Sequence, residues 1–126
     1  MDEAARDAFL ARFRTTDRGV GLAVLGGAFS EGVDLVGEQL IGAFVATLGL
    51  PQVNEVNEQM RRAMEAKFGG GQGYDYVYLY PGLQKVVQAA GRVVRTEQDV
   101  GVLHLIDDRY RRPEVRRLLP RWWRLP

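Results

Sequence analysis

The segment that most limits what this chain can become runs from Tyr80 to Thr96, Tyr-Pro-Gly-Leu-Gln-Lys-Val-Val-Gln-Ala-Ala-Gly-Arg-Val-Val-Arg-Thr. Pro81-Gly82 reads as turn punctuation, and a helical pattern follows it. Gln88, Arg92 and Arg95 stand at i, i+4 and i+7, within roughly 60° of arc, so the spacing places them on one helix face. Gln84 and Lys85 extend that polar stripe by a turn. Val86, Val87, Ala90, Val93 and Val94 cover the opposite side. The expected product is a mostly buried helix carrying a narrow strip of two guanidinium groups and a carboxamide.

Arginines a turn apart make an anion clamp, because guanidinium is always charged and its planar fork matches phosphate oxygens. Gly91 beside them leaves room for another backbone or a ligand to approach. From spacing alone, a solvated polar face is the simpler account.

A chain of 126 residues suits one domain or part of one, and 46% hydrophobic residues are enough for a core. The net charge of +1 is uninformative, but its distribution is not. Residues 109–126 hold seven arginines and one glutamate, a local +6 against −5 for the rest. Without cysteine the chain can form no disulfide, zinc–thiolate site or iron–sulfur cluster. The N-terminus is acidic and amphipathic, unlike a secretory signal. The apolar run from Leu40 to Leu50 is too short to span a membrane, so a soluble cytoplasmic protein is expected.

Ala5, Phe9 and Phe13 recur every fourth residue, predicting a helix from Asp2 to about Thr15 whose Phe/Leu side packs on a sheet. Gly21 to Leu25 reads as a short buried strand. It runs into Gly26-Gly27-Ala28-Phe29-Ser30-Glu31-Gly32-Val33-Asp34-Leu35, the composition of a site-bearing loop past a strand end. An ordinary turn with Asp34 bonding local backbone is the bland alternative, and Glu31 with Asp34 makes only a weak metal pair. Leu40 to Thr47 reads as a strand buried on both faces, as in a parallel sheet. Asn54 is placed to cap a helix over Glu55 to Phe68, with Met60, Met64 and Phe68 as core filler.

Gly69-Gly70-Gly71-Gln72-Gly73 lacks a P-loop ending and reads as a flexible connector. Tyr74, Tyr76, Tyr78 and Tyr80 alternate; core packing with hydroxyls at the surface and stacking on bases both suit them. Val100 to Ile106 reads as another buried strand, with His104, the single histidine, as a structural residue. Asp107 or Asp108 beside Arg109 suits an ion pair or a helix cap better than a catalytic acid. In the basic tail, Leu118, Leu119, Trp122 and Trp123 fit either a nucleic-acid surface or a hydrophobic docking segment.

Two ordered strings carry a family resemblance. Gln88-x-x-Gly91-Arg92-x-x-Arg95 resembles motif VI of superfamily 2 helicases, and its longer frame from Tyr80 to Thr96 resembles the DinG branch, relatives of the XPD-type DNA helicases. Gly27-Ala28-Phe29-Ser30-Glu31-Gly32-Val33-Asp34-Leu35 resembles motif V of the same groups. The similarity extends from Phe9-Leu10-x-x-Phe13 to Asp107-Asp108-Arg109-Tyr110 and Leu118-Leu119-Pro120. Departures are small: His104 stands where an aliphatic residue is usual, and Val100 where a polar one often precedes the glycine.

The resemblance implies an α/β fold, a partial RecA-like domain of P-loop NTPase type with a mostly parallel sheet flanked by helices. It would span residues 1–126, incomplete at its N-terminus, with the Arg/Trp tail at 109–126. Arg92 and Arg95 would be arginine fingers facing ATP, and Gln88 would orient the phosphate end or the attacking water. Ser30, Glu31, Gly32, Asp34 and Gly91 would couple the nucleotide cleft to DNA. The implied partners are single-stranded DNA and an N-terminal ATP-binding motor domain, with no membrane. No Gly-x-x-x-x-Gly-Lys-Ser/Thr and no Asp-Glu-Ala-His box occurs. ATP and Mg2+ would therefore be held mainly by that other domain, as would the iron–sulfur cluster many family members carry. The expectation is a helicase motor domain that does not hydrolyse ATP alone and is marginally stable or self-associates. The alternative is a non-enzymatic nucleic-acid-binding or partner-docking module using the Arg/Trp tail.

Overall fold

The computed structural model describes residues 2–14, 18–27, 29, 35 and 39–126. Two parallel strands, β1 (Gly42–Ala46) and β2 (Val102–Ile106), form the sheet, with Gly42 opposite Val102 and Ala46 opposite Ile106. Helix α1 (Glu3–Phe13) precedes them, with Asp2 as its cap accepting from the Ala5 amide at 2.7 Å. The crossover between the strands holds α2 (Glu55–Phe68), a short α3 (Gln72–Tyr74), a π-helical stretch Asp75–Leu79 and α4 (Tyr80–Ala90). A 3-10 turn, Asp108–Arg111, and α5 (Pro113–Arg116) follow β2. Among the described residues no helix is long and apolar enough to cross a membrane.

The core forms where α4 and the C-terminal segment meet one face of the sheet. Val45, Leu48, Leu79, Leu83, Val86, Tyr110, Val115 and Leu119 are its buried members, joined by Leu103, Leu105 and Trp123. Burying each such aliphatic side chain stabilises by about 1.5–3 kcal/mol. Gly82 permits the contact: a Cβ there would lie 2.8 Å from the Leu48 carbonyl oxygen and 2.9 Å from Leu50 Cδ2. A smaller cluster joins Leu10 and Leu35, with Phe9, Phe13, Phe29 and Leu40 packed around them.

Several expectations are corrected. Pro81-Gly82 is not a turn, because the backbone stays right-handed helical from α3 through the π stretch into α4. Pro81 sits in the first turn of α4, where it costs least, and the π stretch just before it lets the Tyr80 amide reach the Asp75 carbonyl. The tyrosines are therefore helical rather than alternating, and only Tyr78 is buried.

Residues 18–24 form no strand; Val20, Leu22 and Val24 are exposed, and β1 and β2 pair only with each other. A strand needs a ladder partner, and this segment crosses the rings of Phe9 and Phe13 at Gly21 instead. Helix α1 accordingly packs on Phe29, Leu35 and Leu40 rather than on the sheet.

Neither strand is buried on both faces. Phe44, Val102 and Ile106 are more than half exposed, and Phe44 stacks on His104 with ring centroids 4.6 Å apart. Helix α2 follows the predicted bounds and the Asn54 cap, yet none of its residues is buried, so Met60 and Phe68 are not core filler. The glycine loop is hydrogen-bonded rather than free. Gly69, Gly70 and Gly71 take positive φ, and the Glu65 carboxylate accepts from the Gly71 and Gly73 amides at 2.9 and 2.8 Å. Those two donors hold the Glu65 carboxyl below its ordinary pKa. An internal carboxylate thus takes the anion position that the loop offers.

Candidate functional site

Helix α4 ends at Ala90, earlier than the pattern to Thr96 predicts. Gly91 is its right-handed cap (φ −64°), and the turn continues through amides of Arg92 to Ala89 and of Val93 and Val94 to Ala90. Exposed Gln88, exposed Gly91 and half-buried Arg92 therefore stand together at the C-terminal end of α4. Helix carbonyls point outward there, so the guanidinium must supply all the positive charge for an anion.

Arg95 lies beyond the helix in a segment of its own, so Arg92 and Arg95 do not share the predicted helix face. The reason is local capture of the backbone. The Asp99 carboxylate accepts from the Arg95 amide at 3.0 Å and from the Thr96 amide at 2.9 Å, and Thr96 Oγ accepts from the Gln98 amide at 3.3 Å. The two amides at Thr96 and Arg95 hold the Asp99 carboxyl below its ordinary pKa. Glu97-Gln98-Asp99 reads as a turn from sequence, and a turn is found there. What that reading missed is the hold of the Asp99 carboxylate on two amides; its signal was a Thr followed three positions later by Asp, a pairing of residues that capture local backbone.

Arg95 lines a groove of about 960 Å³ whose walls include Val93, Val94, Val102, Trp122 and Trp123, with Arg124 at its rim. Gly101 lets the two sides of this corner close, since a Cβ there would run into Val93 Cγ1.

Of the motif V residues, Ser30, Glu31, Gly32 and Asp34 lie outside the described residues. Their flanks are described. Gly26, at φ +80°, sits beside Lys85 of α4, where a Cβ would be 3.2 Å from Lys85 Cδ. Lys85 and Gln88 are about 5 Å apart along the helix axis, so Gly26 sits one turn before the carboxamide. On the far side, Phe29 meets Phe9 at 4.7 Å and Leu35 packs on Leu10.

A second polar group lies at the C-terminal ends of the strands. Arg109 donates two bonds to Asp107, at 2.9 and 2.7 Å, and the same carboxylate caps the 3-10 turn through the Arg109 amide. Arg109 therefore pulls the Asp107 carboxyl down to about 2. The Tyr110 hydroxyl donates to the carbonyl of Thr47 at 2.8 Å, and burial pushes that phenol up to about 12. Thr47 holds φ +76°, uncommon for a non-glycine residue. Asp107 is thus both ion pair and cap, as its spacing suggested. Among the described residues no group of three or more His, Asp or Glu gathers to hold a metal.

A protein-family model described as "Helicase C-terminal domain" matches residues 1–125. The chain is 34% identical over 119 residues to ATP-dependent DNA helicase chl-1 of Caenorhabditis elegans, covering 92% of this chain and 14% of that protein. It is 30% identical to the general transcription and DNA repair factor IIH helicase subunit XPD of Dictyostelium discoideum, over 80% of this chain and 13% of that protein. Against human regulator of telomere elongation helicase 1 the identity is 34%, over 82% of this chain and 9% of that protein. The chain thus spans a small fraction of the length of the relatives it matches.

Proposed function

From the membership of this chain in the helicase C-terminal domain family of XPD-related superfamily 2 helicases, we propose that it is the second motor half of an ATP-dependent DNA helicase. Its contribution is motif V and motif VI, and its partners are single-stranded DNA and the N-terminal motor domain that holds ATP. The observation that carries this reading is the grouping of Gln88, Gly91 and Arg92 at the exposed end of α4, with Gly26 beside Lys85 of the same helix.

In the assembled motor, Arg92 and Arg95 stabilise charge on the γ-phosphate as it develops, and Gln88 orients the attacking water. The end of α4 offers Arg92, and the turn that Asp99 holds offers Arg95. Exposed Gly91 lets the facing backbone approach. Ser30 and the amides near Gly32 bind a DNA phosphate, Asp34 positions motif VI, and Glu31 completes the coupling loop. The chain carries neither the Walker lysine nor the Asp-Glu-Ala-His acid, so Mg2+ and the β- and γ-phosphates rest on the other domain and the isolated chain does not turn over ATP.

Reconstitution with the ATP-binding half tests this. DNA-stimulated hydrolysis is expected with the wild-type chain and is lost with Arg92→Ala or Arg95→Ala, while DNA affinity changes less than about three-fold. Hydrolysis that survives both substitutions would contradict the reading.

A further inference from the structure

The motor reading uses none of the seven arginines between Arg109 and Pro126. This segment is not a loose tail. Tyr110, Val115 and Leu119 are buried, and Trp123 packs against the same core. These anchors recur every four or five positions, and Arg111, Arg112, Arg116, Arg117 and Arg121 fall between them, with Arg124 just after the last. Arg111, Arg112, Arg116, Arg117, Arg121 and Arg124 are all exposed as a result, whereas Arg109 is engaged by Asp107. The one acidic side chain in this stretch, Glu114, is exposed, as is Asp108 just before it, and Arg116 donates to the main-chain oxygen of Pro126 at 3.0 Å. Trp122 is 65% exposed, edge-on to Trp123 at 6.1 Å, and packing does not account for an indole held in water between arginines.

We infer that this strip binds the phosphodiester backbone of single-stranded DNA, with Trp122 as a stacking surface for one base. The inference rests on the motor reading only for the identity of the polyanion. Guanidinium forks match successive phosphates, and an aromatic face accepts any base. The buried anchors set the spacing of the cations before binding, which lowers the ordering cost. A lipid surface is the other polyanion of this charge, but α5 has four residues and forms no amphipathic interfacial helix.

Anisotropy of a fluorescent oligothymidylate, titrated with the 126-residue chain across a salt series, tests it. The combined Arg112→Ala, Arg117→Ala, Arg121→Ala variant should flatten the slope of log affinity against log salt by about 2, at roughly 0.7 per phosphate contact. The matching lysine variant should keep the slope, which separates lost charge from lost folding. Trp122→Ala should weaken binding about ten-fold with the slope unchanged. An unchanged slope and affinity in the alanine variant would overturn the inference, as would binding to phosphatidylserine vesicles without binding to the oligonucleotide. Arg92→Ala, which lies outside the strip, should keep the slope and affinity for the oligonucleotide while abolishing hydrolysis in the reconstituted motor, so failure of one reading is distinct from failure of the other.

Discussion

Arg92 and Arg95 are held in different ways, and that difference decides which neighbours matter. Arg92 is half-buried with its Nε enclosed at the helix end, whereas Arg95 is exposed and its main-chain amide is held by Asp99. Asp99→Ala should cut DNA-stimulated hydrolysis by roughly ten-fold through loss of positioning. Asp99→Asn, which keeps an acceptor, should restore most of the rate, and equal loss in both variants would remove the positioning role.

Two glycines separate structural from functional need. A Cβ at Gly91 would meet only ordinary contacts, 3.4 Å from the Gln88 carbonyl oxygen, at an ordinary φ. Gly91→Ala should therefore fold with unchanged or slightly higher stability, by up to about 1 kcal/mol, yet lose hydrolysis in the assembled motor. At Gly101 the clash with Val93 predicts the opposite pattern, a loss of about 1–3 kcal/mol by denaturant titration. Sequence singled out Gly91 but not Gly101, because the need for glycine there depends on a contact between positions eight residues apart.

At the scale of elements, the parts read correctly were those whose signals are local. Asn54 and the pattern to Phe68 predicted α2 to the residue, and Asp107 or Asp108 beside Arg109 predicted an ion pair or a cap, of which Asp107 makes both. The parts misread were those settled by partners elsewhere. Nothing near Gly21 reveals that its segment lacks a ladder partner, and nothing in Phe44 reveals that one sheet face stays uncovered among the described residues. Valines at 93 and 94 continue the helical pattern of α4, yet Asp99 draws Arg95 and Thr96 out of it.

The Asp107–Arg109 pair also makes a pH prediction. Folding lowers the Asp107 pKa from 3.8 to about 2, so its contribution to stability is full above about pH 4 and fades as pH falls toward 2. Denaturant titrations at pH 7 and pH 3 should show a smaller acid loss for Asp107→Asn than for wild type, with the variant already less stable at pH 7. An equal acid loss would mean that the pair adds nothing.

Across the molecule, the described residues form two strands with one covered face and two core clusters, and they leave much apolar surface in water. Ile41, Phe44, Val102 and Ile106 are each at least 55% exposed. Such patches mark interaction surfaces. The chain should self-associate with concentration in sedimentation, and Phe44→Arg should reduce this while changing stability by less than about 0.5 kcal/mol. The α/β class and the parallel pairing were legible because helical and strand-like runs alternate along the chain. The motif V residues Ser30, Glu31, Gly32 and Asp34 were legible only as a string, since they lie outside the described residues.

The central claim is that two guanidiniums on this chain act on a triphosphate held by another domain. Single-turnover ATP hydrolysis by the complete motor carrying Arg92→Lys or Arg95→Lys tests it most directly, because lysine keeps the charge and loses the fork. The expected result is a fall of about 100-fold or more in the rate at saturating ATP and DNA, with ATP affinity nearly unchanged. A wild-type rate in both variants would contradict the account.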